Sequence, residues 1–222
     1  MRKTFDEELD VLNQEIIETC ALCEEAITLA SESFLSGDEI GAKRVYPIDS
    51  EIDHMSHSIE THCMKLLLRQ QPVAGDFRKI SAALKMVSDM ERIGDMASNI
   101  AEIIGYLGGV RGDEVELISG MARETVKMVS TATDAYIKND FNLAANVIES
   151  DDIIDDYFIR VKQSLATRIA SHPDEGEYEL DSIIVAKYFE RIGDHATNIA
   201  EWVQYSIDGV IREEDRYDDI RR

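Results

Sequence analysis

The sequence predicts an all-α protein built from two tandem, antiparallel three-helix bundles that are related by an internal pseudo-two-fold repeat. Residues 91–102 read ERIGDMASNIAE and residues 190–201 read ERIGDHATNIAE, so a twelve-residue stretch recurs 99 positions along the chain. Apolar residues recur at helical spacing in six long segments joined by short loops. No segment shows the alternating pattern of a strand.

Six long helices follow from this spacing and from the few glycines and prolines. We expect them to span residues 4–35, 39–70, 76–107, 113–138, 141–170 and, after a loop at 171–176, the stretch that ends near 210. Gly37 and Asn139 are placed to end the first and fourth helices. Pro47 predicts a distortion in the second helix, and Asp76 is the expected N-cap of the third. Long helices joined by short loops pack as antiparallel neighbours.

The repeat extends beyond the twelve-residue stretch. Residues 31–53 align with 133–155 without a gap at an offset of 102, which places Asp49 opposite Asp151. The offset falls to 99 in the third helix, so the preceding loop is three residues shorter in the second half. Gly108, Gly109 and Gly112 form the most flexible stretch. We therefore place one domain at 1–108 and the other at 112–222.

The chain is strongly acidic, with a net charge of −22. Residues 1–105 carry 10 Lys or Arg against 20 Asp or Glu, and residues 106–222 carry 13 against 25, so the halves are nearly equal in charge. This charge argues against nucleic acid as a partner and favours cations or basic protein surfaces. We expect a cytoplasmic protein, because there is neither a membrane span nor a secretory signal. Cys20 and Cys23 are expected to be buried, inert thiols.

Paired carboxylates are the chemical feature of the repeated stretch. Glu91 and Asp95 lie one helical turn apart and continue a line that begins with the apolar Leu84. Glu190 and Asp194 repeat the arrangement in the second half. Two carboxylates at this spacing repel each other, and a partner cation would remove the repulsion. The alternative is a solvated acidic face.

A second carboxylate pair precedes the first in each half. Asp49 and Asp53 lie early in the second helix, and their equivalents lie in the fifth. In an antiparallel hairpin these pairs face the Glu-x3-Asp pairs on the following helix. Four carboxylates that converge are either separated by solvent or neutralised by cations. Oxygen donors favour hard cations such as Fe³⁺, Mn²⁺, Mg²⁺ or Ca²⁺.

Together these features resemble the PhoU family of phosphate-signalling proteins. The resemblance covers essentially the whole chain. It rests on three features: the two ERIGD motifs with the following Asn-Ile-Ala-Glu, the carboxylate pairs, and the turn at residues 71–78 (QPVAGDFR). The second half has Ser171-His172-Pro173-Asp174 in place of that turn. The resemblance implies polynuclear metal clusters, often of iron, on two sets of residues. These are Asp49, Asp53, Glu91, Asp95 and Asn99 in one half, and Asp151, Asp155, Glu190, Asp194 and Asn198 in the other.

The resemblance also implies a function. PhoU-like proteins are cytoplasmic negative regulators that restrain phosphate uptake and the phosphate-starvation response. They connect a phosphate-specific ABC transporter, through its ATPase subunit, to a sensor histidine kinase. By this resemblance the chain is not an enzyme, forms a homodimer and meets the membrane only through its partners.

Two other classes remain open from the residues alone. One is a ferritin-like, carboxylate-bridged di-iron protein, for which Glu51-x-x-His54 is the one suggestive motif, without an equivalent in the second half. The other is a helical adaptor without metal. His57 and His62 are expected to be polar-face or hydrogen-bonded histidines. His195 is not an expected ligand, because Met96 stands at its place in the first repeat.

Overall fold

The computed structural model of the protein describes residues 2–70, 72–107, 114–172 and 176–212. These residues form six long α-helices and one short helix, and none of them lies in a strand. The helices are α1 Arg2–Ser36, α2 Glu39–Ala42, α3 Val45–Gln70, α4 Ala74–Leu107, α5 Glu114–Lys138, α6 Phe141–Ser171 and α7 Gly176–Asp208. The predicted all-α class is confirmed. The predicted boundary at 108–112 and the charged tail after residue 212 lie outside the described residues.

The ends of α1 and α5 show the repeat in atomic detail. Gly37 (φ 69°) ends α1 and Asn139 (φ 51°) ends α5, as the sequence predicted. A positive φ costs glycine nothing, and asparagine tolerates it better than most residues. The following residue then caps the next helix. Asp38 accepts from the backbone N–H groups of residues 40 and 41, and Asp140 accepts from those of residues 142 and 143.

The helix predicted over residues 39–70 is divided into α2 and α3. It breaks at Lys43 and Arg44, and Pro47 lies in the first turn of α3, so the distortion expected at this proline is a break that directly precedes it. Proline is tolerated there because the first N–H groups of a helix have no intrahelical acceptor. Asp76 is not an N-cap, since α4 begins at Ala74. Its carboxylate lies in the first turn, where it still complements the helix dipole.

Each half is an antiparallel three-helix bundle. α1, α3 and α4 pack together in the first half, and α5, α6 and α7 pack together in the second. Across the halves, α4 packs against α7 and α1 against α5, again antiparallel. Arg78 near the start of α4 lies beside Gly209 after α7, while Asp89 further along α4 meets His195. The predicted pseudo-two-fold relation therefore brings equivalent helices of the two halves together.

One hydrophobic core runs through both bundles. The largest fully buried side chains belong to both halves and include Phe34, Met90 and Ile100 from the first and Phe189 from the second. Cys20 of α1 contacts the Thr133 hydroxyl of α5 inside this core. Within the described residues, no helix is long and apolar enough to cross a membrane.

Candidate functional site

The first set of predicted residues lies on the facing surfaces of α3 and α4. Asp49 is half-buried against α4, where its Oδ2 accepts a 2.7 Å hydrogen bond from the Ser98 hydroxyl. Its Oδ1 is buried and has no hydrogen-bond partner. A β-carbon at Gly94 would lie 2.8 Å from that oxygen, so the carboxylate rests directly on the helix backbone. This close approach explains a glycine in the middle of a long helix.

The four carboxylates of this set influence one another electrostatically. Burial raises the pKa of Asp49, the charges of Asp53 and Asp95 raise it further, and the hydrogen bond from Ser98 opposes the rise. Burial also raises the pKa of Glu91, again with the charges of Asp53 and Asp95 adding to the effect. The structure thus brings together Asp49, Asp53, Glu91 and Asp95. The Arg92 side chain brings a positive charge to the edge of this set, where it donates a hydrogen bond to Asp95 Oδ2 at 3.2 Å.

The second set lies on α6 and α7 in the equivalent arrangement. Oδ1 of Asp151 would lie 3.4 Å from a β-carbon at Gly193, so this glycine has the same role with slightly more space. Burial raises the pKa of Asp155, and the charge of Asp194 raises it further, while the Lys187 ammonium opposes the rise. Lys187 also donates a hydrogen bond to Glu190 Oε1. Glu190 Oε2 is buried without a hydrogen-bond partner.

The two predicted asparagines lie one turn beyond the carboxylates. Asn99 is half-buried on α4. The Asn198 amide nitrogen donates to Asp89 Oδ1 at 2.9 Å, and His195 Nδ1 contacts the same oxygen at 2.9 Å. Asp89 belongs to α4, so His195 and Asn198 join the two halves at this point. The expectation that His195 is not a metal ligand stays a prediction.

The histidines and cysteines outside the two sets are arranged as the sequence indicated. His62 is buried between Glu15 and Glu8, with ring nitrogens 2.8 Å and 3.0 Å from their carboxylates. Glu51 and His54 are exposed on α3 rather than directed into the bundle. All three cysteines are buried and free. Burial raises the pKa of the Cys20 and Cys63 thiols to about 12.

The donor set fits a hard cation in its chemistry. Every predicted side chain offers oxygen, and each set includes a buried carboxylate oxygen that lacks a hydrogen bond, Asp49 Oδ1 in the first and Glu190 Oε2 in the second. In the part of the chain that the structure describes, however, no three His, Cys, Asp or Glu side chains are already grouped to hold one ion. The more exposed members, Asp53, Asp155 and Asp194, would have to turn inward.

Three residues near the carboxylates were not anticipated from the sequence. Gly94 and Gly193 could have been found, because glycine in a helix interior costs about 1 kcal/mol relative to alanine and both repeats keep it. Ser98 is also part of the repeated stretch. Its equivalent Thr197 has a buried hydroxyl without a hydrogen-bond partner, so this contact to aspartate exists in the first half alone.

Comparison with known proteins gives a consistent result. The family model described as the PhoU domain matches residues 16–104 and again residues 118–203. A phosphate-specific transport system accessory protein PhoU homolog of Clostridium acetobutylicum is 33% identical over 210 residues, covering 94% of this chain and 96% of that protein. The homolog of Pseudomonas aeruginosa is 33% identical over 208 residues, covering 92% and 86%.

Solved structures share the fold. The crystal structure of PhoU from Pseudomonas aeruginosa superposes with a TM-score of 0.89 at 32% identity and covers 93% of this chain and all of that one. The phosphate transport system regulatory protein PhoU from Streptococcus pneumoniae superposes with a TM-score of 0.84 at 23% identity, covering 94% and 99%. The second likeness concerns the fold alone.

Proposed function

The chain belongs to the PhoU family, and we propose on this basis that it is an accessory protein of a phosphate-specific transport system. In this proposal it restrains phosphate uptake and holds the phosphate-starvation response off when phosphate is plentiful. The observation that carries the proposal is the match of both repeats to the family domain, with full-length relatives that bear this accessory name. It acts by binding and not by catalysis.

The proposed partners are the ATPase subunit of the transporter and a sensor histidine kinase. The two halves present similar acidic surfaces related by a pseudo-two-fold, and paired ATPase subunits or a dimeric kinase are themselves two-fold objects. Engaging both copies at once raises apparent affinity without new contacts. A homodimer of this chain would double the number of such surfaces. The proposed location is the cytoplasm, with contact to the membrane only through the transporter.

We also propose that the two carboxylate sets bind cations, with iron first among those expected and Mn²⁺, Mg²⁺ or Ca²⁺ as other candidates. Asp49, Asp53, Glu91 and Asp95 would hold one cluster, with Asn99 beside them. The second cluster would be held by Asp151, Asp155, Glu190, Asp194 and Asn198. A bound cation would neutralise the carboxylates of Asp49, Glu91 and Asp155, whose pKa values are raised by burial and by neighbouring negative charges. A cation in the first set would also hold α3 against α4, and a cation in the second set would hold α6 against α7.

The regulatory proposal is tested by deleting the gene. Phosphate-starvation genes should then be expressed in high phosphate, and the intact gene supplied in trans should restore repression. Normal repression in the deletion strain would end the regulatory proposal. A pull-down of purified chain with the transporter ATPase subunit, repeated at rising salt, tests the partner, because association through acidic faces should weaken as charges are screened.

The metal proposal is tested separately by elemental analysis of protein purified without added metal. Substituting both Asp95 and Asp194 by Ala should abolish metal content while the helices remain. Asp134→Ala is a matched control, since Asp134 is an exposed acidic residue on α5 that pairs with Lys138. Full metal content in the double variant would remove the assignment. A ferritin-like oxidase would in addition consume oxygen with ferrous iron, and no contact of Glu51 or His54 favours it.

A further inference from the structure

The two carboxylate sets differ in the charges that surround them. At the repeat offsets of 102 and 99, Lys187 is equivalent to Ser88, and Lys162 is equivalent to Glu60. Glu60 adds to the negative charge around Glu91. Two further acids lie on this helix in the second half: Asp152, opposite Ser50, and Asp156, opposite His54, which pairs with Arg160. The two lysine exchanges outweigh the charge of Asp152, so the second set lies in a less negative environment than the first.

Lys187 lies at the surface beside the second set. Its ammonium donates a hydrogen bond to Glu190 Oε1 and lies close enough to Asp155 to interact with that carboxylate as well. Its Nζ is also 5.4 Å from the centre of the Phe158 ring, over which Lys162 Nζ lies at 5.7 Å. Both ammonium groups therefore lie over the Phe158 ring, next to the acids of the second set.

The first set has no such lysine. The hydroxyl of Ser88 donates to the carbonyl of Leu84 in its own helix and contacts no acid of the set. Phe158 has the small, buried Ser56 as its equivalent. The nearest cation is Arg92, an exposed residue that donates to Asp95 and whose charge opposes the rise in the pKa of Glu91. Asp49 Oδ1 therefore remains buried among negative charges, with neither a hydrogen bond nor a cation.

We propose that Lys187 is a built-in ammonium that competes with metal for the second carboxylate set, so that the first set is the stronger cation site. The inference rests on the proposed function, in which both sets bind cations. A cation entering the second set must break the bond between Lys187 and Glu190 and tolerate a positive charge that stays nearby. In the first set Ser88 stands in place of this lysine, and the competing cation is the more exposed guanidinium of Arg92 at Asp95. As the cation concentration rises, the first set is therefore occupied before the second, although their motifs are nearly identical.

A titration of the metal-free full-length chain with Mn²⁺ tests this, with free Mn²⁺ read by electron paramagnetic resonance. The wild type should show two classes of site. Lys187→Ser should strengthen the weaker class by about tenfold, because it removes both the ion pair with Glu190 and a positive charge that repels the incoming cation. Ser88→Lys should weaken the stronger class. Lys138→Ser is the matched control, since Lys138 pairs with an acid on α5 outside both sets.

The site variants separate the two proposals. Asp95→Ala should remove the strong class alone, and Asp194→Ala the weak class alone. If both aspartate variants lose their sites but Lys187→Ser changes neither class, cation binding stands and the competition by Lys187 is refuted. If the wild type binds no Mn²⁺ at all, cation binding and the competition both fail.

Discussion

Oδ1 of Asp49 lies 2.8 Å from the place that a β-carbon at Gly94 would occupy, so these two residues can meet only because residue 94 has no side chain. The same carbon would also lie 3.1 Å from a methyl group of Ile52. The glycine of the repeated motif therefore serves contact between helices and not flexibility of the backbone. It allows the Asp49 carboxylate to rest against α4, the helix that carries Glu91 and Asp95.

Gly94→Ala should displace the Asp49 carboxylate and weaken cation binding to the first set. Gly105→Ala is the control in the same helix, because nothing lies within 4 Å of a β-carbon there. The control should raise the free energy of unfolding by about 0.5–1 kcal/mol through helix propensity, and Gly94→Ala should lose this gain. Urea denaturation and Mn²⁺ titration measure the two effects. Equal stabilisation by both substitutions, with unchanged Mn²⁺ binding, would show that Gly94 is not needed for the contact.

Glu91→Gln should stabilise the metal-free protein at neutral pH. Burial and the charges of Asp53 and Asp95 raise the pKa of Glu91 above its ordinary value of 4.5. For a raised pKa, the stabilising contribution is complete below the unfolded pKa and is lost as pH rises through the folded pKa. Removing the charge should therefore add a few tenths of a kcal/mol to 1 kcal/mol at pH 7, typical of one like-charge pair, and nothing below about pH 4.

Urea denaturation of wild type and Glu91→Gln at pH 7 and pH 4 gives this comparison. Glu149→Gln is the control, since Glu149 is exposed on α6 away from the first set. Added Mn²⁺ should reverse the order, because the wild type would gain more from the ligand than the variant. A variant less stable than wild type at pH 7 without metal would contradict the electrostatic explanation.

A buried charge cluster distinguishes the end of the second bundle from that of the first. Arg168 donates to Glu179 Oε1 at 2.8 Å and to Glu114 Oε2 at 3.3 Å, and both glutamates are 1% exposed. At the repeat offsets the equivalents are Leu12, Leu66 and Ile80, all buried. Arg168→Leu alone should destabilise the protein by about 3–5 kcal/mol, because it leaves two buried carboxylates without their cation.

Replacing the whole cluster should undo that loss. The triple variant Glu114→Leu, Arg168→Leu, Glu179→Ile copies the packing of the first bundle, and buried ion pairs are often no better than apolar residues of similar size. Its free energy of unfolding should return to within about 1 kcal/mol of wild type, or exceed it. Thermal and urea denaturation measure both variants. A triple variant as unstable as Arg168→Leu would mean that the cluster contributes more than packing can replace.

The three thiols should be unreactive in the folded protein. Burial raises the pKa of Cys20 and Cys63 to about 12 and that of Cys23 well above its usual value, so almost no thiolate exists at pH 8. Ellman's reagent should release less than one equivalent over minutes in buffer and three equivalents in guanidinium. Rapid release of one equivalent in buffer would show that a thiol is accessible.

Much of this fold could be read from the sequence because its signals are local. Gly37 and Asn139 mark helix ends since each adopts a positive φ, and the carboxylate pairs meet because consecutive long helices must run antiparallel. The break at Lys43 and Arg44 lies between Gly41 and Pro47, so the sequence indicated a distortion here but not that the helix would divide in two. The cluster around Arg168 includes Glu114, which lies 54 positions earlier in the chain, and each member alone would be taken for a surface charge.

The separated halves, 1–108 and 112–222, should not fold stably on their own. Although the motif repeats, the packing of α4 against α7 and of α1 against α5 makes one core, in which Cys20 and Thr133 meet. Cutting the chain at its glycine-rich boundary would expose the apolar faces of four helices to water. Each Å² of apolar surface exposed in this way costs about 25 cal/mol of free energy. Mixed together, the halves should recover that burial and form a complex.

Circular dichroism measures the stability of each half, alone and mixed, and size-exclusion chromatography measures whether the halves associate. Each half alone should melt at a much lower temperature than the whole chain or form dimers of itself through the same faces, because the repeat makes these faces similar. The equimolar mixture should elute as a single species and melt cooperatively. A monomeric half that melts as high as the whole chain would show that each bundle is an independent domain. Binding of the isolated halves to a transporter ATPase subunit is then interpretable only for a half that passes this test.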